Sequence, residues 1–274
     1  MEQMNADQAF ESVRVSNRHG TSPFVLICDH ASNFVPAEFG TLGLKKDDLT
    51  KHIAWDPGAA PVAQMMSELM DAPLIESGIS RLIIDCNRPL DAPDLIWEVS
   101  ETTPIPGNQN LNKAQRAERV ALAYDPFHTA IDELVETRLS QGRETNLVSI
   151  HSFTPVYKGV SRPWHIGILH DEDLRLSTPL ILELQRGDDI VVGDNEPYSP
   201  ADRVYFTLER HGRAHGLACV MIEIRNDEIQ NEAAQSRWAK RLAEILGPEE
   251  SGETKTIERP KASTSAPRVI GTTD

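Results

Sequence analysis

Short apolar runs alternate with longer segments of mixed polarity along most of the chain. The run Phe24–Cys28 is apolar throughout, which is typical of a strand buried on both faces of a sheet. The segment Ala59–Met70 is predicted as a helix, because Pro57 and Gly58 mark a helix start. This alternation favours an α/β fold with a mostly parallel sheet that is covered on both faces.

The same pattern predicts the remaining elements. Further strands are predicted at residues 73–75, 82–85, 147–150, 165–169, 190–192 and 219–224. Further helices are predicted at residues 114–141 (with a break near Asp125 and Pro126), 179–185, 201–211 and 231–246. No internal repeat is present, so we expect one domain over residues 1–247. Residues 248–274 are poor in apolar side chains and rich in Pro, Ser and Thr, and we expect a disordered tail there.

Residues 89–112 do not have the pattern of a helix or a strand. The segment contains Pro89, Pro93, Pro104, Pro106 and Gly107. A connection of this length inside a compact domain is usually functional or mobile. We therefore expect it to form one wall of a pocket.

The net charge of the chain argues against two classes of partner, nucleic acids and anionic membranes. The net charge of the 274 residues is −15, which repels nucleic acid and anionic lipid. No stretch approaches the roughly 20 apolar residues that span a bilayer, and the first residues lack the basic and apolar regions of a signal peptide. We expect a cytoplasmic protein that acts on a small molecule, with no nucleic-acid or membrane partner.

The cysteines give little sign of a disulfide framework. Cys28, Cys86 and Cys219 lie in apolar runs without CxxC spacing, as buried thiols do. Cys28 and Cys86 stand beside polar motifs, so a nucleophilic cysteine remains one hypothesis.

Four apolar runs end in groups that are suited to chemistry. They are "CDHASN" (Asp29, His30, Asn33), "IIDCNRP" (Asp85, Asn87, Arg88), "VSIHSFTP" (His151, Ser152) and "VMIEIRND" (Glu223, Arg225, Asn226, Asp227). The carboxyl ends of parallel strands meet at one sheet edge, where open α/β sheets bind ligands. Histidines and carboxylates gathered there can hold a hydrolytic zinc ion, and an arginine there can bind an anionic substrate.

Glu223 is the least ordinary of these residues. It is flanked by Met221, Ile222 and Ile224, in a run that should be buried. An unpaired buried carboxylate costs several kcal/mol or raises its pKa instead. Glu223 is therefore either paired with an arginine or serves as a general base.

Six motifs in order resemble the N-formylglutamate amidohydrolase family over roughly residues 23–238. They are "CDHASNFVP", "HIAWDPGA", "SRLIIDCNRP", "IHSFTP", "NEPYSP" and "IEIRND". The family is similar in fold to zinc carboxypeptidases and aspartoacylases. The resemblance therefore implies a three-layer α/β/α fold, with a mixed, mostly parallel sheet of about eight strands and one zinc ion at the strand ends. It also implies hydrolysis of an N-acyl amino acid, with N-formyl-L-glutamate as the expected substrate.

The resemblance also implies roles for single residues. His30 and His151 match the zinc ligands of the family. Asp85 matches a residue that orients a ligating histidine, and Glu223 matches the base that takes a proton from water. Asn87 and Arg88 match a pair that binds a substrate carboxylate or polarises the scissile carbonyl. Further candidates for substrate contact are Arg225, Tyr198 in "NEPYSP", and Ser152.

One position departs from the carboxypeptidase-like pattern. Those enzymes place a glutamate three residues after the first histidine, where this chain has Asn33. Either Asn33 contacts the substrate and Asp56 completes the zinc site, or the metal is weakly bound or absent. Asp56 has an alternative role as a helix N-cap ahead of Pro57. A binding protein that has lost the metal is the competing hypothesis.

Overall fold

The computed structural model describes residues 11–187 and 189–247. The predicted tail at 248–274 lies outside the described residues, as does the first part of the predicted domain. Among the described helices, none has the length and apolar character needed to cross a bilayer.

Strands and helices are interspersed along the described residues. The strands are β1 (Val13–Ser16), β2 (Phe24–Cys28), β3 (Leu74–Ser77), β4 (Val99–Ser100), β5 (Thr103–Pro104), β6 (Asn146–Phe153), β7 (Val156–Tyr157), β8 (Val160–Ser161), β9 (Ile166–Leu169), β10 (Val192–Asp194) and β11 (Cys219–Arg225). The α-helices are α1 (Ala59–Met70), α2 (Lys113–Arg119), α3 (Asp125–Ser140), α4 (Ser177–Leu184), α5 (Phe206–His211) and α6 (Glu232–Leu246).

Seven of these strands form the main sheet, in the order β1-β3-β2-β6-β11-β9-β10. The outer pair β1–β3 and the pair β11–β9 are antiparallel, and the other four neighbouring pairs are parallel. The prediction of a mixed, mostly parallel sheet is confirmed, with seven strands where about eight were expected. The strand pairs β4–β5 and β7–β8 are separate small hairpins.

Helices cover both faces of the sheet, as in the predicted three-layer fold. Apolar side chains of α1, α4 and α6 pack on one face, against residues such as Leu26 and Ile222. Side chains of α3 and α5 pack on the other face, against residues such as Ile27 and Met221. Alternate residues of β2 and β11 thus enter opposite cores, as the two-residue period of a strand requires.

The prediction of a strand at residues 82–85 is wrong. Leu82, Ile83 and Ile84 are buried, but they lie in a turn and the irregular backbone after it, and the backbone N–H of Asp85 donates to the carbonyl of Leu95 (2.8 Å). These apolar residues belong to a third core cluster, which packs beneath the loop at residues 89–112. A short apolar run can be buried by a loop as well as by a neighbouring strand, and periodicity alone does not separate the two cases.

Smaller differences lie at element ends. A π-helical turn, Val120–Tyr124, separates α2 from α3 just before the predicted break at Pro126. The predicted helix at 201–211 is α-helical only from Phe206, and the predicted strand at 190–192 is shifted to β10. The edge strand β1 was not predicted, because it is short and only partly buried.

Candidate active site

Two histidines and one aspartate meet at the carboxyl ends of the central strands. His30 follows β2, Asp56 lies in the turn before α1, and His151 is in β6. The Nδ1 atoms of His30 and His151 lie 3.3 Å and 2.8 Å from Oδ2 of Asp56. All three side chains are buried, and their potential ligand atoms lie within 4.8 Å of one another. This group could hold a metal ion.

The outer nitrogen of each histidine faces a second aspartate. Nε2 of His30 lies 2.8 Å from Asp85, and Nε2 of His151 lies 3.0 Å from Asp29. Carboxylates face both nitrogens of each ring, so both can donate; burial lowers the pKa of His151, but Asp29 and Asp56 outweigh burial and hold it well above its usual value. If a metal were held by the Nδ1 atoms, those nitrogens would be deprotonated and each Nε2–H would still donate to its outer aspartate. Two such imidazoles and one carboxylate are a donor set that suits zinc, and outer carboxylates fix the ligating rings in known zinc sites.

Arg81 links two of the acidic groups. Its guanidinium lies 3.4 Å from Asp56 and 2.8 Å from Asp85. Burial alone would raise the pKa of Asp85, but Arg81 and His30 outweigh burial and hold that pKa well below its usual range. Asp85 is therefore ionised and accepts the hydrogen bond from His30. Arg81 was not predicted as a site residue, although its position four residues before Asp85 in "SRLIID" was a usable signal.

The alternative role of Asp56 as a helix N-cap is wrong. Helix α1 has Gly58 at its N-cap position, and no side chain caps it. The Asp56 carboxylate instead faces the two histidines and accepts a hydrogen bond from the backbone N–H of Ser152 (3.3 Å). A carboxylate therefore stands beside the histidines even though residue 33 is an asparagine, which removes the main reason for the metal-free hypothesis.

Glu223 lies beside the same group. It is buried and is directly paired with His151 between β11 and β6. Its Oε2 atom has no hydrogen-bond partner among the described residues. Burial raises the pKa of Glu223 to about 7. The nearby His151 lowers this pKa, and the negative charge of Asp56 raises it further. Among the described residues Glu223 forms no ion pair with an arginine, and its role as a general base stays a prediction.

These groups open into a cavity of about 140 Å³. The loop at residues 89–112 forms part of its wall, as predicted, and contributes Trp97, Ser100 and Glu101. The other lining residues come from strand ends and turns: His30, His52, Ile53, Asp56, Arg81, Asn87, Arg88, His151, Ser152, Phe153, Thr154, Tyr157, Tyr198, Val204 and Glu223. A cavity of this size suits a small molecule.

Four predicted substrate residues line the cavity. The guanidinium of Arg88 is held by Asp94 (2.8 Å) and by the carbonyl of Asn87 (2.9 Å). The side chain of Asn87 is bonded to backbone groups of Val204 and Thr207, so it also locks that wall in place. Ser152 donates to the carbonyl of Pro57 (2.9 Å). Tyr198, the fourth, lies against Arg162. Their roles toward substrate stay predictions.

Two predicted substrate residues do not line the cavity. The amide of Asn33 donates to the carbonyl of Leu49 (2.9 Å) and fixes a neighbouring turn. Arg225 binds Asp227 (2.7 Å), Glu228 (3.2 Å) and backbone carbonyls of residues 162–164. Both side chains are therefore occupied in local structure.

The cysteine hypothesis gains no support. Cys28 and Cys86 are buried, and neither lines the cavity. Burial and nearby carboxylates raise the pKa of both thiols well above 9. A nucleophilic cysteine needs an accessible thiolate, which these surroundings oppose.

Comparison with known proteins decides the family. The family model of N-formylglutamate amidohydrolase matches residues 22–230. The chain belongs to the N-formylglutamate amidohydrolase family. Members of this family are hydrolases that act on amide bonds, and this chain is one of them. A search of curated proteins finds no match.

Two solved structures extend the family comparison. The gene product Atu2144 of Agrobacterium tumefaciens is 44% identical, with a TM-score of 0.84, and the match covers 86% of this chain and 93% of that one. The N-formylglutamate amidohydrolase of Ralstonia eutropha JMP134 is 19% identical, with a TM-score of 0.69, and the match covers 86% and 95% of the two chains. The similarity to the Ralstonia eutropha enzyme supports the fold, and the similarity to Atu2144 shows the same fold in a relative of higher sequence identity.

Proposed function

We propose that this chain hydrolyses the amide bond of N-formyl-L-glutamate, or of a related N-acyl amino acid, with the help of a zinc ion. Membership of the N-formylglutamate amidohydrolase family supports this substrate class. The donor set of His30, Asp56 and His151 supports zinc, because protein zinc sites of this type keep a further position open for water. When bound, zinc would acidify water and polarise a carbonyl.

The observation that carries the proposal is the free carboxylate oxygen of Glu223 next to His30, Asp56 and His151. A buried carboxylate without a partner is costly to keep, so its presence needs a reason. In the proposed reaction, Glu223 accepts a proton from the attacking water and donates it to the leaving nitrogen. A pKa near the working pH suits a group that must both accept and release a proton.

The arginines of the cavity supply positive charge. Arg81 stands between Asp56 and Asp85, where it can stabilise negative charge that develops on the carbonyl oxygen. Arg88 has its Nε and one Nη bonded, and its other Nη has no hydrogen-bond partner among the described residues, so that it can bind a substrate carboxylate. Asp94 and Trp97 hold this guanidinium in place.

We further propose that the reaction takes place in the cytoplasm and that the protein acts on a small molecule, with no nucleic-acid or membrane partner. The three cysteines are free thiols, as is usual in a reducing compartment. The charge of −15 opposes binding to nucleic acid or anionic membranes.

A substrate panel tests the proposal. Purified protein would be incubated with N-formyl-L-glutamate, N-acetyl-L-glutamate and N-formyl-L-methionine, and release of free amine would be measured with and without a chelator. We expect chelator-sensitive cleavage, fastest for N-formyl-L-glutamate. Arg18→Gln is the matched control, because Arg18 forms an exposed ion pair with Glu133. Absence of cleavage of every N-acyl amino acid by zinc-loaded protein would contradict the proposal.

A further inference from the structure

Thr207 is a buried threonine that contacts Asp29, the outer aspartate of His151. It is the second residue of α5, and its side chain is fully buried. Its hydroxyl is hydrogen-bonded to Oδ1 of Asp29. Burial alone would raise the pKa of Asp29, but His151, His30 and Thr207 outweigh burial and hold that pKa below its usual range. The carboxylate is therefore ionised, and the hydroxyl of Thr207 donates to it.

Both oxygens of the Asp29 carboxylate are held. Oδ2 accepts a hydrogen bond from the hydroxyl of Ser149 (2.8 Å) and lies 3.0 Å from Nε2 of His151. Among the described residues, Thr207 is the one donor to Oδ1. The last torsion of an aspartate side chain is broad, so a carboxylate that is held at one oxygen can still rotate. The bond from Thr207 fixes the carboxylate plane, and with it the direction in which Oδ2 meets the ring of His151.

Thr207 is itself anchored to the aspartate that faces the other histidine. Its backbone N–H donates to the side-chain oxygen of Asn87 (3.0 Å), and the backbone N–H of Asn87 donates to Oδ1 of Asp85 (3.0 Å). The same oxygen of Asp85 lies 2.8 Å from Nε2 of His30. Thr207 therefore connects the outer carboxylates of both histidines. The bond to Asn87 uses the backbone alone, so a change of the Thr207 side chain leaves it in place.

We propose that Thr207 is a positioning residue for a metal ion at His151, because its hydroxyl fixes the Asp29 carboxylate, which in turn fixes the imidazole. This inference rests on the zinc ion of the proposed function. Loss of an outer partner of a ligating histidine typically lowers metal affinity roughly 10 to 100-fold. Thr207 acts one hydrogen bond further out than Asp29, so we expect an effect at the lower end of this range.

Zinc affinity of two side-chain variants tests the inference. Thr207→Val keeps nearly the same shape and replaces the hydroxyl by a methyl group, whereas Thr207→Ser keeps the hydroxyl. Competition with a coloured chelator should give a dissociation constant for zinc that is about tenfold higher in Thr207→Val and within about threefold of the wild type in Thr207→Ser. The same constant in wild type and Thr207→Val, or a constant for Thr207→Ser as high as that of Thr207→Val, would overturn the inference.

A double-mutant cycle tests whether Thr207 acts through Asp29. Asp29→Asn should itself weaken zinc binding, because it removes the charged partner of His151. In that background Thr207→Val should weaken binding by less than about threefold further, since the carboxylate that it positions is already gone. A full tenfold loss in both backgrounds would show that Thr207 does not act through Asp29.

Thr145→Val is the matched control for loss of a buried hydroxyl. Thr145 is also buried, and its hydroxyl donates to the carbonyl of Arg143 (3.1 Å) and accepts from Arg138 (3.2 Å). It precedes the amino end of β6, whereas His151 lies near the carboxyl end. Thr145→Val should unfold at a lower temperature than the wild type but bind zinc equally well. A loss of zinc affinity as large as that of Thr207→Val would trace the effect to general destabilisation and contradict the inference.

A further variant and one comparison complete the test. If Thr207→Val does not fold, Thr207→Ala removes the hydroxyl without placing a methyl group against the carboxylate, and the same loss of zinc affinity is expected. A wild-type protein that binds zinc but cleaves no N-acyl amino acid would contradict the proposed function alone, and the zinc affinities would still decide the role of Thr207. A wild-type protein that binds no zinc would overturn the inference together with the proposed metal.

Discussion

His151 and Glu223 lie directly opposite each other on the parallel strands β6 and β11. The backbone hydrogen bonds of the sheet therefore fix the separation between a potential metal ligand and a free carboxylate. Rigid strands hold reacting groups more precisely than loops do. This pairing is the basis for the first two predictions.

Glu223→Gln should remove most of the activity while leaving the fold intact. The amide has the same shape but cannot accept a proton from water, and a positioned base usually contributes roughly 10² to 10⁴-fold to the rate. The measurement is kcat for N-formyl-L-glutamate, together with bound zinc. Wild-type turnover in this variant would rule out Glu223 as the base.

The same substitution should stabilise the metal-free protein above neutral pH. The pKa of Glu223 is about 7 in the folded state and about 4.5 when unfolded, so the folded state binds more protons between these values. Wild-type stability is thus highest below the unfolded pKa and declines as pH rises through 7. Glu223→Gln lacks this loss, and we expect its free energy of unfolding at pH 8 to exceed that of the wild type by roughly 3 kcal/mol. Chemical denaturation at pH 5 and pH 8 measures the difference, and a less stable variant at pH 8 would contradict it.

Asp85→Asn should weaken metal binding. Asp85 accepts the Nε2–H bond of His30, and an outer carboxylate of this kind typically contributes roughly 10 to 100-fold to metal affinity. Competition with a coloured chelator measures the dissociation constant for zinc. Asp173→Asn, which alters an exposed ion pair with Arg175, is the control and should bind zinc as the wild type does. Unchanged affinity in Asp85→Asn would show that Asp85 does not orient a ligand.

His128 should make the fold sensitive to acid. It is buried against His211 and the carbonyl of Cys86, and burial together with His211 lowers its pKa to about 3. The unfolded chain binds a proton below about pH 6.5 and the folded chain does not, so stability falls as pH drops from 6.5 toward 3. By pH 5 the loss from this residue is about 2 kcal/mol.

His128→Gln should therefore show a shallower decline of unfolding free energy between pH 7 and pH 5. Urea denaturation across this range measures the slope. His19→Gln, at an exposed histidine, should keep the wild-type slope. The same slope in all three proteins would show that His128 titrates normally in the folded state.

Parts of the fold could be predicted from local sequence, and other parts could not. Strand β2 and helix α1 have the predicted bounds, because an uninterrupted apolar run and a Pro-Gly start act locally. Residues 82–85 have the same apolar composition as a strand, but their backbone finds partners in a loop. Whether an apolar run meets a strand or a loop depends on tertiary packing, which no short window of sequence contains.

The candidate site also has residues that could be predicted from the sequence and contacts that could not. His30, Asp56, His151 and Glu223 stand in motifs at strand ends or before a helix, so their convergence could be expected from the topology of an α/β sheet. Other contacts were not predictable. The hydroxyl of Thr207 donates to Asp29, which lies 178 positions away in the sequence, and the side-chain amide of Asn33 donates to the carbonyl of Leu49 and does not reach the cavity. Such partners depend on the exact course of loops and had no signal in the sequence.

The most direct test of the central claim is a titration of metal-stripped protein with zinc, in which bound metal and formate release from N-formyl-L-glutamate are measured in the same samples. The account predicts that activity rises in proportion to bound zinc and levels off at one ion per chain, and that Asp56→Asn requires far more zinc to reach the same occupancy. Full hydrolysis by protein that holds no metal would contradict it.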